Sequence, residues 1–430
     1  MKKTKKIVLF SILGGFLTCF LAVGIFYGSL VGKNNNPSRP EKIDNPTGYV
    51  QASGRNLYDG NGDLIVLDGV NLGDWFDQEY WMACSTVGDF ETGVYTPKRA
   101  EAAMRQNPNL DEEKIEYVKD LYIDEFIKKD DFKNIADLGM NSVRIPFTYI
   151  NVTSDGYTIK DDAFDKLDEA ISWAEEYNIL VIIDYHGAIG SQNQDWHSGT
   201  DDAFDLYGNR KNMDATIDLW KAVATRYRDN KTVCAYDLLN EPRRAPGKYA
   251  GKLNFDFYDE LYKAVREIDN NHLIIMECFT FPIHGVNERN YDWNNIAYSY
   301  HFYNRTFLSQ KDALNTYKAM DNLMGYKVPI IVGEFNAWRV KKDWDATFKF
   351  LDNLGWSRFV WTYKANNYQF GTVENGRLSD DVWGFYELTI KPVDLYTATF
   401  EEIVDTYSKV STEYAEKTFL CEVYEERLSK

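Results

Sequence analysis

From residue 48 onward the chain alternates short apolar runs with longer amphipathic stretches. The runs are Ile65–Leu72, Asn141–Phe147, Leu180–His186, Val233–Asn240, His272–Cys278, Ile296–Tyr303, Pro329–Phe335 and Arg358–Lys364. Most are rich in β-branched or aromatic residues and nearly continuous, as strands covered on both faces are. Between them, helical spacing is clear in Ala163–Ala174, and further helices are expected to start near Asp214, Phe255, Lys311 and Ala346. Eight strands alternating with helices predict an α/β fold, a closed parallel (β/α)8 TIM barrel. An open doubly wound sheet usually has fewer strands and a glycine-rich first turn, and no G-x-G-x-x-G follows any run. Ahead of the first run, Arg55–Val66 reads as a hairpin with a Gly/Asn turn. The long interval from Gly73 to Asn141 must hold a loop insertion and helices that wall one side of the barrel mouth.

The first residues follow another pattern. Met1–Lys6 holds four Lys, and Ile7–Val31 then runs 25 residues without a charge. That is long enough to span a bilayer and exceeds the apolar core of an ordinary export signal. The basic residues ahead of it keep the N-terminus inside. Residues 1–32 are therefore expected to anchor the chain in the cell membrane as a single pass, or to be cleaved as an export signal. Residues 33–47, with three Pro and four Asn among them, read as a polar linker, and 48–430 as one extracellular domain that holds the barrel.

Composition narrows the ligand. Net charge is −18, and beyond the four leading Lys it falls to 44 basic against 66 acidic groups. Such a surface repels nucleic acid and suits a neutral ligand. Thirty Tyr, twenty-five Phe and eleven Trp exceed what a core usually requires, and imply either an aromatic-rich core or a cleft lined with flat rings on which sugar faces stack. The five Cys show no C-x-x-C spacing, and Cys234 and Cys278 fall within strands, where buried free thiols are expected.

In a barrel of this kind, chemistry sits at the C-terminal ends of the strands. Those ends carry Asn71, Arg144, His186, Asn240-Glu241-Pro242, His301 with Tyr303, Gly333-Glu334 and Trp361. Only the fifth end, near Glu277, offers no candidate. Cleaving a glycosidic bond needs one carboxyl group to protonate the leaving oxygen and a second to meet the developing oxocarbenium ion. Glu241 and Glu334 close the fourth and seventh runs, on opposite sides of the mouth. Arg144 near one carboxylate would keep it ionised, and His301 and Tyr303 could hold its oxygens. Asn240 has the amide to bind a sugar 2-hydroxyl.

The segments Asn141-Ser-Val-Arg-Ile-Pro, Asp184-Tyr-His-Gly-Ala, Leu239-Asn-Glu-Pro, His301-Phe-Tyr, Gly333-Glu-Phe and Trp361 resemble glycoside hydrolase family 5, the cellulase family, over roughly residues 48–400. The resemblance implies a retaining β-glycosidase with no metal or organic cofactor. It makes Glu241 the acid/base and Glu334 the nucleophile, with Arg144, His186, Asn240, His301 and Tyr303 in support and Trp361 under the sugar. The stretch His186-Gly-Ala-Ile-Gly-Ser-Gln-Asn is similar to a loop of the family's exo-β-1,3-glucanases, with Ile189 in place of a Pro. A β-glucan substrate is implied, its linkage open. Asn71, Trp75, Gln192, Asn193, Trp196, His197, Trp338 and Trp361 are the candidate sugar contacts.

Three rivals fit less well. An inactive carbohydrate-binding barrel needs aromatics but not two carboxylates with Arg144, Asn240 and the His301/Tyr303 pair. A metallohydrolase is disfavoured because the five His form no H-x-H or H-E-x-x-H pair, and His272 opens its strand at the bottom face. A serine esterase would need G-x-S-x-G, which is absent. The anchor reading is tested by fractionation. Activity should sediment with membranes, and a chain starting near Asn45 should be soluble and fully active. Native protein in the medium with an N-terminus beyond Val31 would show a cleaved export signal instead.

Overall fold

Each of the eight apolar runs holds a strand. They are β1 (Asp68–Asn71), β2 (Ser142–Thr148), β3 (Leu180–Gly187), β4 (Val233–Asp237), β5 (Leu273–Glu277), β6 (Ile296–Tyr303), β7 (Ile330–Asn336) and β8 (Ser357–Val360). Parallel ladders join them in chain order, and β8 pairs with β1 to close the barrel. This computed structural model describes residues 39–79, 81–88, 95–199, 204–243, 250–278, 281–366, 383–414 and 418–429. The expected anchor, residues 1–32, lies outside them. Among the described residues no helix is long and apolar enough to cross a membrane.

Helices Asp165–Glu176, Arg210–Tyr227, Ala250–Arg266, Gln310–Met324 and Lys341–Leu354 flank the barrel. Three of them begin about one turn ahead of the expected start, because a polar first turn such as Arg210-Lys-Asn carries no apolar periodicity. Between β5 and β6 the chain makes two short 3-10 turns, Pro282–His284 and Glu288–Asn290, where a barrel helix is usual. The β1–β2 interval holds helices Pro97–Gln106, Glu112–Phe126 and Lys129–Asp137.

The barrel interior is layered. Leu67, Ile182, Ala235, Leu273, Ile275, Ala297, Ile331 and Phe359 form one buried cluster with Val50 and Leu57. Leu57 belongs to, and Val50 immediately precedes, an N-terminal sheet, Gln51–Ser53, Asn56–Tyr58 and Leu64–Ile65, in which the expected hairpin gains a third strand. Glu41 and Ile43, expected within the linker, hydrogen-bond to its backbone. Side chains alternate along a strand, so the residue two positions on shares the same face. Two positions after Ile182, Ala235 and Ile275 stand Asp184, Asp237 and Glu277. The interior thus turns from apolar to ionisable within one layer.

The bottom carries its own polar ties. His272 is buried, with Nδ1 2.5 Å from Asp269 and Nε2 2.9 Å from the Asn230 carbonyl. Asp68 receives Nε and Nη2 of buried Arg358 at 3.0 and 2.7 Å, and also Arg427 of the C-terminal helix Phe419–Leu428. Cys84, Cys234, Cys278 and Cys421 are buried free thiols. Removing the Asp68 carboxylate leaves Arg358 buried with only Asp352, so Asp68→Ala should lower the urea-unfolding free energy by about 3 kcal/mol. A loss under about 1 kcal/mol would reduce this tie to an ordinary surface pair.

Candidate active site

Arg144 on β2 is the centre of the mouth. Its guanidinium is 1% exposed and every arm is occupied. Nε donates to Asp237 at 3.0 Å, and Nη1 to Asn71 at 3.0 Å and Glu334 at 3.1 Å. Nη2 donates to Asn240 at 2.8 Å and Glu277 at 3.1 Å, and lies 3.0 Å from Asp184. Burial works to lower the guanidinium's pKa, but Asp184, Asp237, Glu277 and Glu334 outweigh it and raise it. One cation does not neutralise four carboxylates. Burial therefore pushes Asp184, Asp237 and Glu277 each up to about 7 despite Arg144.

Glu241 follows β4 with φ of +40°, a conformation that costs a non-glycine residue about 1–3 kcal/mol. Two hydrogen bonds hold it there. Its N–H donates to Glu277 Oε2 at 2.6 Å, and its carbonyl accepts the Asn193 amide at 3.1 Å. The carboxyl projects into the mouth with the side chain 31% exposed, against 7% for Glu334. Burial tends to raise its pKa, but His197 at 3.3 Å and His301 at 2.7 Å outweigh that and hold it well below the usual range.

Glu334 on β7 accepts Tyr303 Oη at 2.7 Å on the oxygen facing away from Arg144, with His301 Nδ1 3.4 Å away. Gly333 before it is obligatory. A Cβ there would stand 2.5 Å from Ser299 Oγ and 3.1 Å from His301 Nε2. His186 gives its Nδ1 proton to Asp184 at 2.7 Å and presents Nε2 to the Asn240 amide at 3.2 Å, while burial pushes its pKa well down. The Trp361 ring stacks on it, with centroids 5.3 Å apart and planes at 17°.

The remaining candidates divide. Trp361 clusters with Trp81, Met82, Ala365 and Trp383, and Tyr303 and Trp338 pack against the group. Trp196 gives its indole N–H to Glu79 at 2.7 Å. His197 and Asn193 stand beside Glu241 and 3.0 Å from each other. Gln192 is a brace, with Nε2 donating to the carbonyls of His186 at 2.6 Å and Asn240 at 2.8 Å. Asn71 is fully buried, its amide spent on the Gly333 and Val360 carbonyls and its oxygen on Arg144. Trp75 is built into the main core, stacked on Phe76 and donating to the Ile123 carbonyl at 2.8 Å. For these last two the geometry gives a scaffold role in place of the expected sugar contact.

Several site residues escape the sequence reading. Glu277, at the strand end that offered no candidate, touches Arg144, the Glu241 backbone and His301 at once. Asp184 and Asp237 complete the cage around Arg144. Asp77 lies 3.7 Å from His186 with neither oxygen hydrogen-bonded, and Glu79 accepts the Trp81 and Trp196 indoles at 2.7 Å each. The available signal was an acid inside an apolar strand, as in Leu273-Ile-Ile-Met-Glu, since a buried charge requires a partner.

The sequence profile described as "Cellulase (glycosyl hydrolase family 5)" matches residues 103–367. A "Beta-xylosidase" of Phanerodontia chrysosporium is 30% identical over 260 residues, 59% of this chain and 52% of that relative. A "Probable glucan 1,3-beta-glucosidase A" of Aspergillus fumigatus is 29% identical over 330 residues, 74% of each chain. "Endoglucanase C" of Acetivibrio thermocellus is 30% identical over 196 residues, 45% of this chain and 54% of that relative. The chain thus spans about half the length of the first and third relatives. The solved rutinosidase from Aspergillus niger aligns with a TM-score of 0.59 at 17% identity, covering 80% of this chain and 98% of that one, a likeness of fold alone.

One atom each of Glu241, His301 and Glu334 lie within 4.8 Å of one another, a spacing a metal ion could bridge. The donor set argues against it, because a metal needs a free imidazole lone pair. His301 Nδ1 is directed at Glu241, and Nε2 lies 2.9 Å from Glu277. Dialysis against EDTA should therefore leave activity unchanged. Activity lost on dialysis and restored by Zn²⁺ or Mn²⁺ would make the three residues ligands.

Proposed function

The chain belongs to glycosyl hydrolase family 5, the cellulase family, and on that premise we propose that it cleaves β-glucosidic bonds of a β-glucan with retention of configuration, Glu241 as general acid/base and Glu334 as nucleophile. The observation that carries this reading is the proximity of the two carboxyl groups, with an oxygen of each within 4.8 Å of the other. A retaining pair stands about 5–5.5 Å apart, whereas an inverting pair needs about 6.5–9.5 Å to admit a water.

The surroundings suit the two tasks. Glu334 is held at both oxygens, by Arg144 at 3.1 Å and Tyr303 at 2.7 Å, which aims it as an attacking group must be aimed. Glu241 is the more open and is flanked by His197 and His301, so protons can reach and leave it. In the first step Glu334 bonds to the anomeric carbon as the leaving oxygen takes a proton from Glu241. In the second, Glu241 takes a proton from water, whose oxygen displaces Glu334. A barrel that only binds sugar has no use for this arrangement.

The β-glucan assignment draws on the glucosidase and endoglucanase names of two relatives. It also draws on the Ala188–Asn193 loop, whose Gln192 and Asn193 brace His186, Asn240 and Glu241. The β-xylosidase name of the other relative makes xylosides the comparison substrate. The basic residues and the apolar run Ile7–Val31 are the support for an extracellular domain, anchored or released, as part of this reading.

Products from laminarin, mixed-linkage glucan, carboxymethylcellulose, mannan and aryl β-xylosides should show release from a β-glucan. The two carboxyl groups are then told apart by substitution. Glu334→Gln should abolish turnover whatever the leaving group. Glu241→Gln should still form the glycosyl-enzyme from a nitrophenyl glycoside and then stall, and azide should restore turnover as a β-glycosyl azide. An α-glycosyl azide from Glu241→Gln reverses the roles. An α-anomer among early wild-type products overturns retention itself.

A further inference from the structure

Glu277 is fully buried, yet it joins three parts of the site. Oε1 receives Arg144 at 3.1 Å and stands 2.9 Å from His301 Nε2, while Oε2 receives the Glu241 N–H at 2.6 Å. Its own backbone is fixed from outside the barrel, its N–H donating to Tyr258 Oη at 3.2 Å. His301 Nδ1 is hydrogen-bonded to Glu241 at 2.7 Å, and Nε2 pairs with Glu277 at 2.9 Å by charge, off the line of a hydrogen bond. Both ring nitrogens therefore stand beside carboxylates, which favours the imidazolium over the neutral ring.

Resting on the reading of Glu241 as acid/base, we infer that Glu277 is the positioning residue of the proton-transfer half of the site: it aims Glu241 through its backbone and holds on His301 the proton that Glu241 delivers. The step balances. As the glycosidic C–O bond breaks and its electron pair goes to the leaving oxygen, that oxygen takes, through the Glu241 carboxylate, the proton His301 Nδ1 held, and Glu241 is left ionised. His301 is left neutral, its remaining N–H on Nε2 facing Glu277. In the second half-reaction water gives its proton to Glu241 and so back to His301, its oxygen bonds to the anomeric carbon, and Glu334 leaves with its electron pair.

The charges around His301 support this placement. Glu241 faces it from the β4 end, Glu277 from β5 and Glu334 from β7, with Arg144, Asp184 and Asp237 behind them and Tyr303 on Glu334. Tyr317 donates to its carbonyl at 3.1 Å. Burial by itself would lower its pKa, but the charges of Glu277 and Glu334, with the hydrogen bond to Glu241, raise it well above the histidine range.

The test is Glu277→Gln, with Glu277→Asp as the charge-retaining control. Removing the negative charge lets His301 lose its proton at lower pH, so the alkaline limb of kcat/KM should move down by at least about one unit. The loss should reach about 10²-fold on an oligosaccharide, whose leaving group needs the proton, and be much smaller on a nitrophenyl glycoside. Glu277→Asp should recover part of the limb. In parallel, NMR of ¹⁵N-histidine protein, with His301 assigned by His301→Asn, should show the wild-type ring still charged well above about pH 6.5 and titrating lower in Glu277→Gln. An unmoved limb, equal losses on both substrates, or a wild-type His301 neutral at about pH 6.5 overturns the inference. If Glu277→Gln does not fold, the wild-type titration still decides. If wild-type protein cleaves no β-glycoside, the proposed function fails by that result alone, and the NMR arm continues to test the Glu277–His301 pair.

Discussion

A buried guanidinium must be matched by charge, and most of the upper barrel is arranged to match Arg144. Stripping water from an ion costs several kcal/mol unless partners replace it. Here the partners come from β1, β3, β4, β5 and β7 through Asn71, Asp184, Asp237, Glu277 and Glu334, and from Asn240 just past β4. A closed parallel barrel can supply this because its strand ends converge on one axis. The same cage overshoots, since four carboxylates surround one cation. The surplus shows as raised pKa values of about 7 at Asp184, Asp237 and Glu277, and it is offset by His301 as a second positive group.

This accounts for the layering below. The interior beneath Arg144 is an apolar cluster completed by Val50 and by Leu57 of the N-terminal sheet. An apolar layer on that side screens the charges little, so their mutual effects stay strong. Folded domains hold only about 5–15 kcal/mol in reserve. A mouth with a left-handed Glu241 and crowded carboxylates therefore depends on the packed bottom and on ties such as Asp68 with Arg358 and Arg427.

The eight strands were legible because parallel strands covered on both faces read as continuous apolar runs, from Leu180–His186 to Pro329–Phe335. Glu241 and Glu334 were legible because each stands at the end of its run inside a short motif, Leu239-Asn-Glu-Pro and Gly333-Glu-Phe. Glu277 was not. Met276-Glu-Cys continues without punctuation, and a single run does not reveal that the neighbouring strand brings His301 to it. Asp184 and Asp237 were hidden for the same reason, being partners of a residue 40 or more positions away. Trp75 and Asn71 show the converse. Residue type made them plausible sugar contacts, but their hydrogen bonds are spent on Ile123, Gly333 and Val360, which only the assembled barrel reveals.

The two halves of the mouth then follow different physical rules. On the Glu334 side the groups are locked. Arg144 and Tyr303 bind both oxygens, Gly333 admits Ser299 and His301 at close range, and the Trp361 ring lies flat on His186. On the Glu241 side the backbone is fixed by Glu277 and Asn193, while the carboxyl stays half-open between two histidines. For Glu334 in its proposed role as attacking group, rigidity helps because the geometry changes little before the bond forms. For Glu241 in its proposed role as proton carrier, a fixed backbone and a reachable carboxyl let it exchange with leaving group, water and imidazole in turn. Glu277 is the residue through which the halves meet, since it shares Arg144 with Glu334 and His301 with Glu241. A change of charge on either side is therefore felt on the other across a single buried carboxylate.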